Sequence, residues 1–328
     1  MQSEIPVVSF ICAALVLVPL PCHLRARNIA TVSIIAWLFV VNVIYAIDAI
    51  VWSNNSRIIA PVWCDITSTL ITGVHIALPA ACLCICIHLE QIASFSQVAT
   101  PVAKRRRIIF ESLMCFGLPL VYIALHFIVQ SHRFDVFEGF GCRPTTFTSI
   151  PAIFLVWIPP LFLSLATLVH AGLSWRHFLC RGIQFARCGY GSPLSLTSSH
   201  YIRLVVISVA EVVWVLIVIS VEMRFKLSSG LEPWTSLSDV HKDFSRVLTF
   251  GVQDTSRSTI SSLLFSWIAT PIESLLFFAL FASGNDAVAG YKRCGNWIKH
   301  CFSSRQEFDS SSMESHKTPM CSTITFNE

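Results

Sequence analysis

Charge is scarce in this chain: Asp, Glu, Lys and Arg make up 13% of its 328 residues, about half the roughly 25% of an ordinary soluble protein. Acidic residues are missing altogether from 23–28, 94–107 and 176–203, where basic ones collect. No two histidines stand four residues apart, so a helical zinc-hydrolase site lacks its ligands. No Gly-x-Ser-x-Gly elbow occurs, and no sequence repeat relates the two halves of the chain. The apolar stretch 260–282 has no lysine, and the nearest, Lys292, lies beyond it, which excludes a retinal pigment. Basic residues are also absent from Met1 to Glu4, so the first apolar run is read as a retained span; a cleaved leader is the alternative.

Long hydrophobic runs are plentiful. The chain is 54% hydrophobic with a mean hydropathy of +0.66. Apolar stretches at 5–22, 29–52, 62–92, 108–129, 150–174, 204–223 and 260–282 are each about long enough to cross a bilayer, which takes ~20 helical residues at ~1.5 Å rise. In lipid the backbone must satisfy its own hydrogen bonds, so these runs read as helices. The expected fold is an all-α membrane protein, a bundle of seven transmembrane helices over 5–284. A short external segment, 1–4, precedes it; a juxtamembrane amphipathic helix, 285–302, and a disordered cytoplasmic tail, 303–328, follow. An odd number of spans puts the termini on opposite sides and points towards a receptor rather than a paired-repeat transporter.

The positive-inside rule orients the bundle. Arg25 and Arg27, the run Lys104-Arg105-Arg106-Arg107, and Arg176, Arg181, Arg187 and Arg203 fall in alternate connections. Those are expected to be cytoplasmic, with the N-terminus outside. The third outer connection, with five basic residues between Arg224 and Arg257, weakens the bias without reversing it. The 104–107 cluster can bind anionic lipid headgroups or an acidic partner. A net charge of +4 spread over loops and tail gives no sign of nucleic-acid binding. Gly182, Gly189, Gly191 and Pro193 are expected to prevent any long helix in the third inner connection.

Of 13 cysteines, only Cys64 and Cys142 face the oxidising side in this topology, which suits one disulfide or two free thiols. Cys294 and Cys301 are candidate palmitoylation sites. Asn54-Asn55-Ser56 is a glycosylation sequon placed too near the membrane to be expected in use. Cys82, Cys84 and Cys86 read as small packing residues, because spacing by two throws Cys84 to the opposite helix face.

Polar residues inside spans are costly and need a reason. Asn42, Asp48, Thr72, His75 and His126 are such residues, as are Glu211 and Glu273. The two glutamates fall at similar depth on the sixth and seventh spans. They form either an activation switch, with Arg203 between them as a candidate counter-charge and Pro271 as a hinge, or a pair of protonated, hydrogen-bonded carboxyls. Pro19, Pro79, Pro119, Pro159, Pro160 and Pro271 are expected to bend their spans.

The stretch Pro61-Val62-Trp63-Cys64-Asp65-Ile66, then Gly73, Ala77-Leu78-Pro79-Ala80-Ala81 and Leu89-Glu90-Gln91-Ile92, resembles the third helix of the fungal a-factor-type lipopeptide pheromone receptors, a class of G-protein-coupled receptor. Leu24 to Asn28, Gly141-Cys142-Arg143-Pro144, Thr270-Pro271, Phe277-Phe278 with Phe281, and Gly284 to Tyr291 agree with it. One departure is His88, where that family usually carries a basic residue. The resemblance implies a multi-pass plasma-membrane receptor, without enzymatic activity or cofactor. It would bind a farnesylated peptide mating pheromone and activate a heterotrimeric G protein through its Gα subunit, feeding a mating MAP-kinase cascade. A seven-helix transporter or channel is the alternative reading. Judged from depth, Asp48, His75 and His126 would contact the peptide, Trp157 and Trp267 the apolar part, and Asp135 and Arg143 the rim. G-protein contact would fall on Lys104, Arg105, Arg106, Arg107, Arg176, Arg181 and Arg203.

Overall fold

The computed structural model describes residues 4–94, 100–187, 195–227 and 230–282; for 181–187, 195–201 and 282 only the backbone is described. The expected juxtamembrane helix and tail, with Cys294 and Cys301, lie outside these residues, as does the side chain of Arg181.

Seven helical stretches among the described residues are long and apolar enough to span a membrane: span 1 Glu4–Arg25, span 2 Ile29–Val51, span 3 Pro61–Ala93, span 4 Pro101–Val129, span 5 Ile150–Cys180, span 6 Ile202–Leu227 and span 7 Arg257–Phe281. They make a seven-helix membrane bundle. Sequence chemistry accounts for several boundaries. Span 1 is interrupted ahead of Leu20, where Pro19 removes a backbone donor, and it ends at Arg25, two residues before Arg27, whose φ of 52° is left-handed. Asn28 caps span 2, its side chain accepting from the Thr31 N–H at 3.2 Å. Span 4 begins earlier than its hydropathy suggests. Thr100 caps it through the Ala103 N–H and Pro101 occupies the first turn, so the basic run 104–107 is helical and not a loop.

Of the residues expected to break the third inner connection, Gly182 does not: the helix of span 5 runs through it to Arg187, while Gly189, Gly191 and Pro193 lie outside the described residues and the helix of span 6 starts at Ser195. One glycine costs a helix only ~1 kcal/mol, too little to stop a long one. Prolines act unevenly: Pro79 and Pro271 sit inside continuous helices. Pro119 and the pair Pro159 and Pro160 instead follow wider π-turns at Leu113–Gly117 and Ile153–Trp157, which absorb the missing donor.

Span 3 is the axis, packing against spans 2, 4, 5 and 6, while span 7 closes the ring against spans 1, 2 and 6. Small residues let its neighbours approach. A Cβ added to Gly73 would meet Ile123 Cδ1 at 3.0 Å and Trp37 Cη2 at 3.1 Å. Because span 3 is enclosed, Cys82, Cys84 and Cys86 are all buried although they point in different directions.

The connections at one end depart from a purely helical reading. Strands β1 (Phe134–Phe137), β2 (Gly141–Arg143) and β3 (Val247–Phe250) form a sheet in the order β2-β1-β3. β1 and β2 are antiparallel, with Asp135 opposite Arg143, and β1 and β3 are parallel, with Phe134 opposite Val247. We call this end the sheet face and the opposite end, which bears 104–107, the basic face.

Candidate functional site

A cavity of about 220 Å³ opens among spans 3, 4, 5, 6 and 7 beneath the sheet. Lys226 and Glu211 both line it; their separation along span 6 corresponds to a depth of ~22 Å at ~1.5 Å per residue. Its middle is apolar, with Val74, Leu78, Val156, Trp157, Val215 and Ile219 on the wall. Charged groups sit at either end, and the hydroxyls of Thr72, Ser262 and Ser266 line it as well.

Towards the sheet face, His75, His126, Asp135, Arg143 and Trp157 line the cavity together. Five of the seven residues expected to contact a ligand thus line one cavity, brought there by two spans, the sheet and the π-turn of span 5. His126 Nε2 lies 3.0 Å from Thr146 Oγ1. Asp135 Oδ1 lies 2.6 Å from His132 Nε2. Arg143 stacks its guanidinium over the Tyr45 ring at 4.5 Å. Tyr122 donates to the Val156 carbonyl at 2.9 Å and fastens span 4 to span 5 at the wall.

Asp48 and Trp267 stand away from the cavity lining. Asp48 is wholly buried and faces the sheet: Trp63 Nε1 donates to its Oδ1 at 2.7 Å, and the Cys142 N–H donates to Oδ2 at 3.3 Å. Beside it Gly141 has φ of +73°, and a Cβ there would fall 2.4 Å from the Asp48 Cβ, so only glycine fits. The disulfide Cys64–Cys142, with Cα atoms 5.2 Å apart, joins β2 to the start of span 3 at the same spot. Asp48 therefore anchors a connection. Trp267 turns the other way, donating to Ser9 Oγ at 3.0 Å and tying span 7 to span 1.

At the cavity floor, Glu211 and Glu273 face the same space, as their equal depth implied. Arg203 does not stand between them; its Nη1 donates to the Leu280 carbonyl at 3.4 Å, joining span 6 to the end of span 7. Behind Glu273, Asn42 donates to Ser274 Oγ at 2.8 Å, a polar link between spans 2 and 7 beside Pro271.

The basic face divides its cations. Lys104, Arg105, Arg106 and Arg176 are exposed. Arg107 turns inward instead: its Nη1 lies 2.8 Å from His88 Nε2 and its Nε 3.3 Å from Glu111 Oε1. The Glu111 side chain is buried, and its Oε2 has no hydrogen-bond partner among the described residues. Arg107 thus supplies a cation where the sequence at His88 lacked one. Close by, His170 Nδ1 on span 5 meets Glu90 Oε2 on span 3 at 2.5 Å. Sequence reasoning missed Glu111, Glu90 and His170 as partners. Carboxylates near the ends of apolar runs were the available signal.

Residues 4–301 match the STE3 family model, described as pheromone A receptor. The chain is 47% identical over 300 residues to the "Pheromone B beta 1 receptor" of Schizophyllum commune, an alignment covering 91% of this chain and 56% of that protein. It is 32% identical over 297 residues to the "Pheromone B alpha 3 receptor" of S. commune strain H4-8 / FGSC 9210, covering 89% and 47%. It is 31% identical over 294 residues to "Pheromone receptor 1" of Ustilago hordei, covering 88% and 81%. The chain spans about half the length of the two Schizophyllum relatives.

Proposed function

The chain belongs to the pheromone A receptor family, and from that premise we propose that it is a G-protein-coupled receptor for a farnesylated peptide mating pheromone. The cavity carries this reading. Polar side chains at its sheet end suit a peptide, and its apolar middle suits a hydrocarbon group. A volume of about 220 Å³ holds a few side chains and not a whole lipopeptide. The peptide end therefore enters from the sheet face, while the prenyl chain engages the apolar side of Val156, Trp157, Val215 and Ile219. Each buried CH₂ of that chain is worth ~0.8 kcal/mol, so the lipid supplies affinity and the polar wall supplies choice among peptides.

In this reading the sheet face is extracellular, since a disulfide persists in an oxidising compartment, and the basic face is cytoplasmic at the plasma membrane. Ligand contact displaces span 6 relative to span 7, which share the Glu211 and Glu273 floor and the Arg203 link. That motion exposes the inner ends of the spans to a Gα subunit, with Lys104, Arg105, Arg106 and Arg176 as exposed cations. Arg107 belongs to the internal network and not to this surface.

The test is expression in a yeast-type mating reporter strain challenged with farnesylated and unprenylated synthetic peptides. A Gα-dependent response to farnesylated peptides alone is expected. Silence towards both, with the receptor verified at the cell surface, would remove the proposal.

A further inference from the structure

Arg143 ends β2 and is only 6% exposed, yet its Nε and Nη1 are buried without a hydrogen-bond acceptor. A buried donor left unmade costs ~1–3 kcal/mol, and more when it is charged. No carboxylate oxygen among the described residues accepts from these two nitrogens, although the Asp48 charge lies near enough to act on the cation. Asp135, its cross-strand neighbour, is engaged by His132. Asp48 spends one oxygen on Trp63 and the other on the Cys142 N–H. None of the ion pairs found among the described residues includes Arg143. The Tyr45 ring stabilises the cation from one face but accepts no conventional hydrogen bond.

The guanidinium also lines the cavity, together with His75, His126 and Lys226. Glu222 is the one carboxylate of span 6 that lines this upper part, a turn from Lys226, and Glu211 lies far below it. A buried cation with unused donors thus faces a cavity enclosed by the sheet and five spans.

We propose that Arg143 is the anion-recognition group of this receptor, taking a carboxylate from an acidic side chain in the peptide portion of the pheromone. This rests on the receptor reading above and adds the chemical class of residue that the peptide must present. A carboxylate suits the position better than a peptide carbonyl, because charge-assisted hydrogen bonds are roughly twice as strong as neutral ones. The contact makes Arg143 a determinant of which peptides are accepted.

The probe is a set of synthetic S-farnesylcysteine methyl ester peptides, each internal position carrying Glu, Gln, Lys or Ala in turn, applied to reporter cells expressing the full chain. In the unaltered receptor, activating peptides should need an acid at one position, with potency falling about 10- to 100-fold when that Glu becomes Gln. Arg143→Gln should lose that discrimination, so that the Glu and Gln peptides act alike, and Arg143→Lys should keep part of it. Surface staining of unpermeabilised cells checks folding of both variants, and the peptide series on the unaltered receptor stands without them. Activation that is indifferent to acids at every position, or discrimination that survives in Arg143→Gln, overturns the inference while leaving the receptor reading intact. Silence towards every farnesylated peptide overturns both.

Discussion

At the sheet face, a disulfide, the Trp63–Asp48 bond and paired strands fasten the connections to spans 2 and 3, whereas at the basic face spans 3, 4 and 5 meet through Arg107, Glu111 and the Glu90–His170 pair. The first set is covalent or cross-braced, and no single side chain can leave it alone. The second consists of ionic contacts: Glu111 is buried, whereas the partly exposed Glu90–His170 pair can exchange partners with water, lipid heads or another protein. A binding mouth needs fixed geometry, because a misplaced polar group costs selectivity. A signalling base needs contacts that give way at moderate cost. In the receptor reading proposed above, the two ends suit those different requirements.

The largest effect should come from breaking the covalent tie. Cys142→Ser opens a loop whose ends are 78 residues apart and should lower stability by ~2–4 kcal/mol. Thermal unfolding in detergent would record it; an unchanged midpoint would mean that the strands hold the mouth unaided. At the opposite end, Glu111→Gln keeps shape but gives up the charge that faces Arg107. A loss of ~1.5–3 kcal/mol is expected, the range for hydrogen bonds to charged groups. A cost equal to that of the disulfide would erase the proposed difference between the faces. The smallest effect belongs to Glu90 and His170, which are 24% and 34% exposed at their side chains. A double-mutant cycle with Glu90→Gln and His170→Ala should return a coupling of ~0.2–1 kcal/mol. A larger coupling would make this pair a principal lock of the basic face.

Much of the bundle could be read in advance because a bilayer imposes a strong local rule. All seven apolar runs became spans, and the cysteine pair deduced from their sidedness is bonded. Boundaries were harder. The 104–107 run looked like a loop because charge dominates its composition, although Thr100 and Pro101 already carried a helix-start signal. The sheet was not legible, since β1 and β3 are short segments more than a hundred residues apart whose pairing no local pattern announces.

Candidate site residues divide along the same line. His75, His126, Asp135, Arg143 and Trp157 line one cavity, but Asp48 and Trp267, chosen by the same criterion of depth, face elsewhere. Depth follows from counting along a helix; direction follows from which neighbour occupies each side. Asp48 turns to the sheet because Trp63 and the Cys142 N–H offer donors there. Arg107 turns inward because Glu111 waits one helical turn away on the same face, with His88 across from it.

By itself the amino-acid order determined how many times the chain crosses the membrane, which cysteines could pair and roughly how deep each polar side chain lies, for these depend on short-range hydropathy and on counting. Only the tertiary structure decided which of those side chains share a cavity, which serve as anchors and which cation is left without an acceptor. Those outcomes depend on contacts between segments far apart in the chain, and such contacts exist only once the bundle has closed.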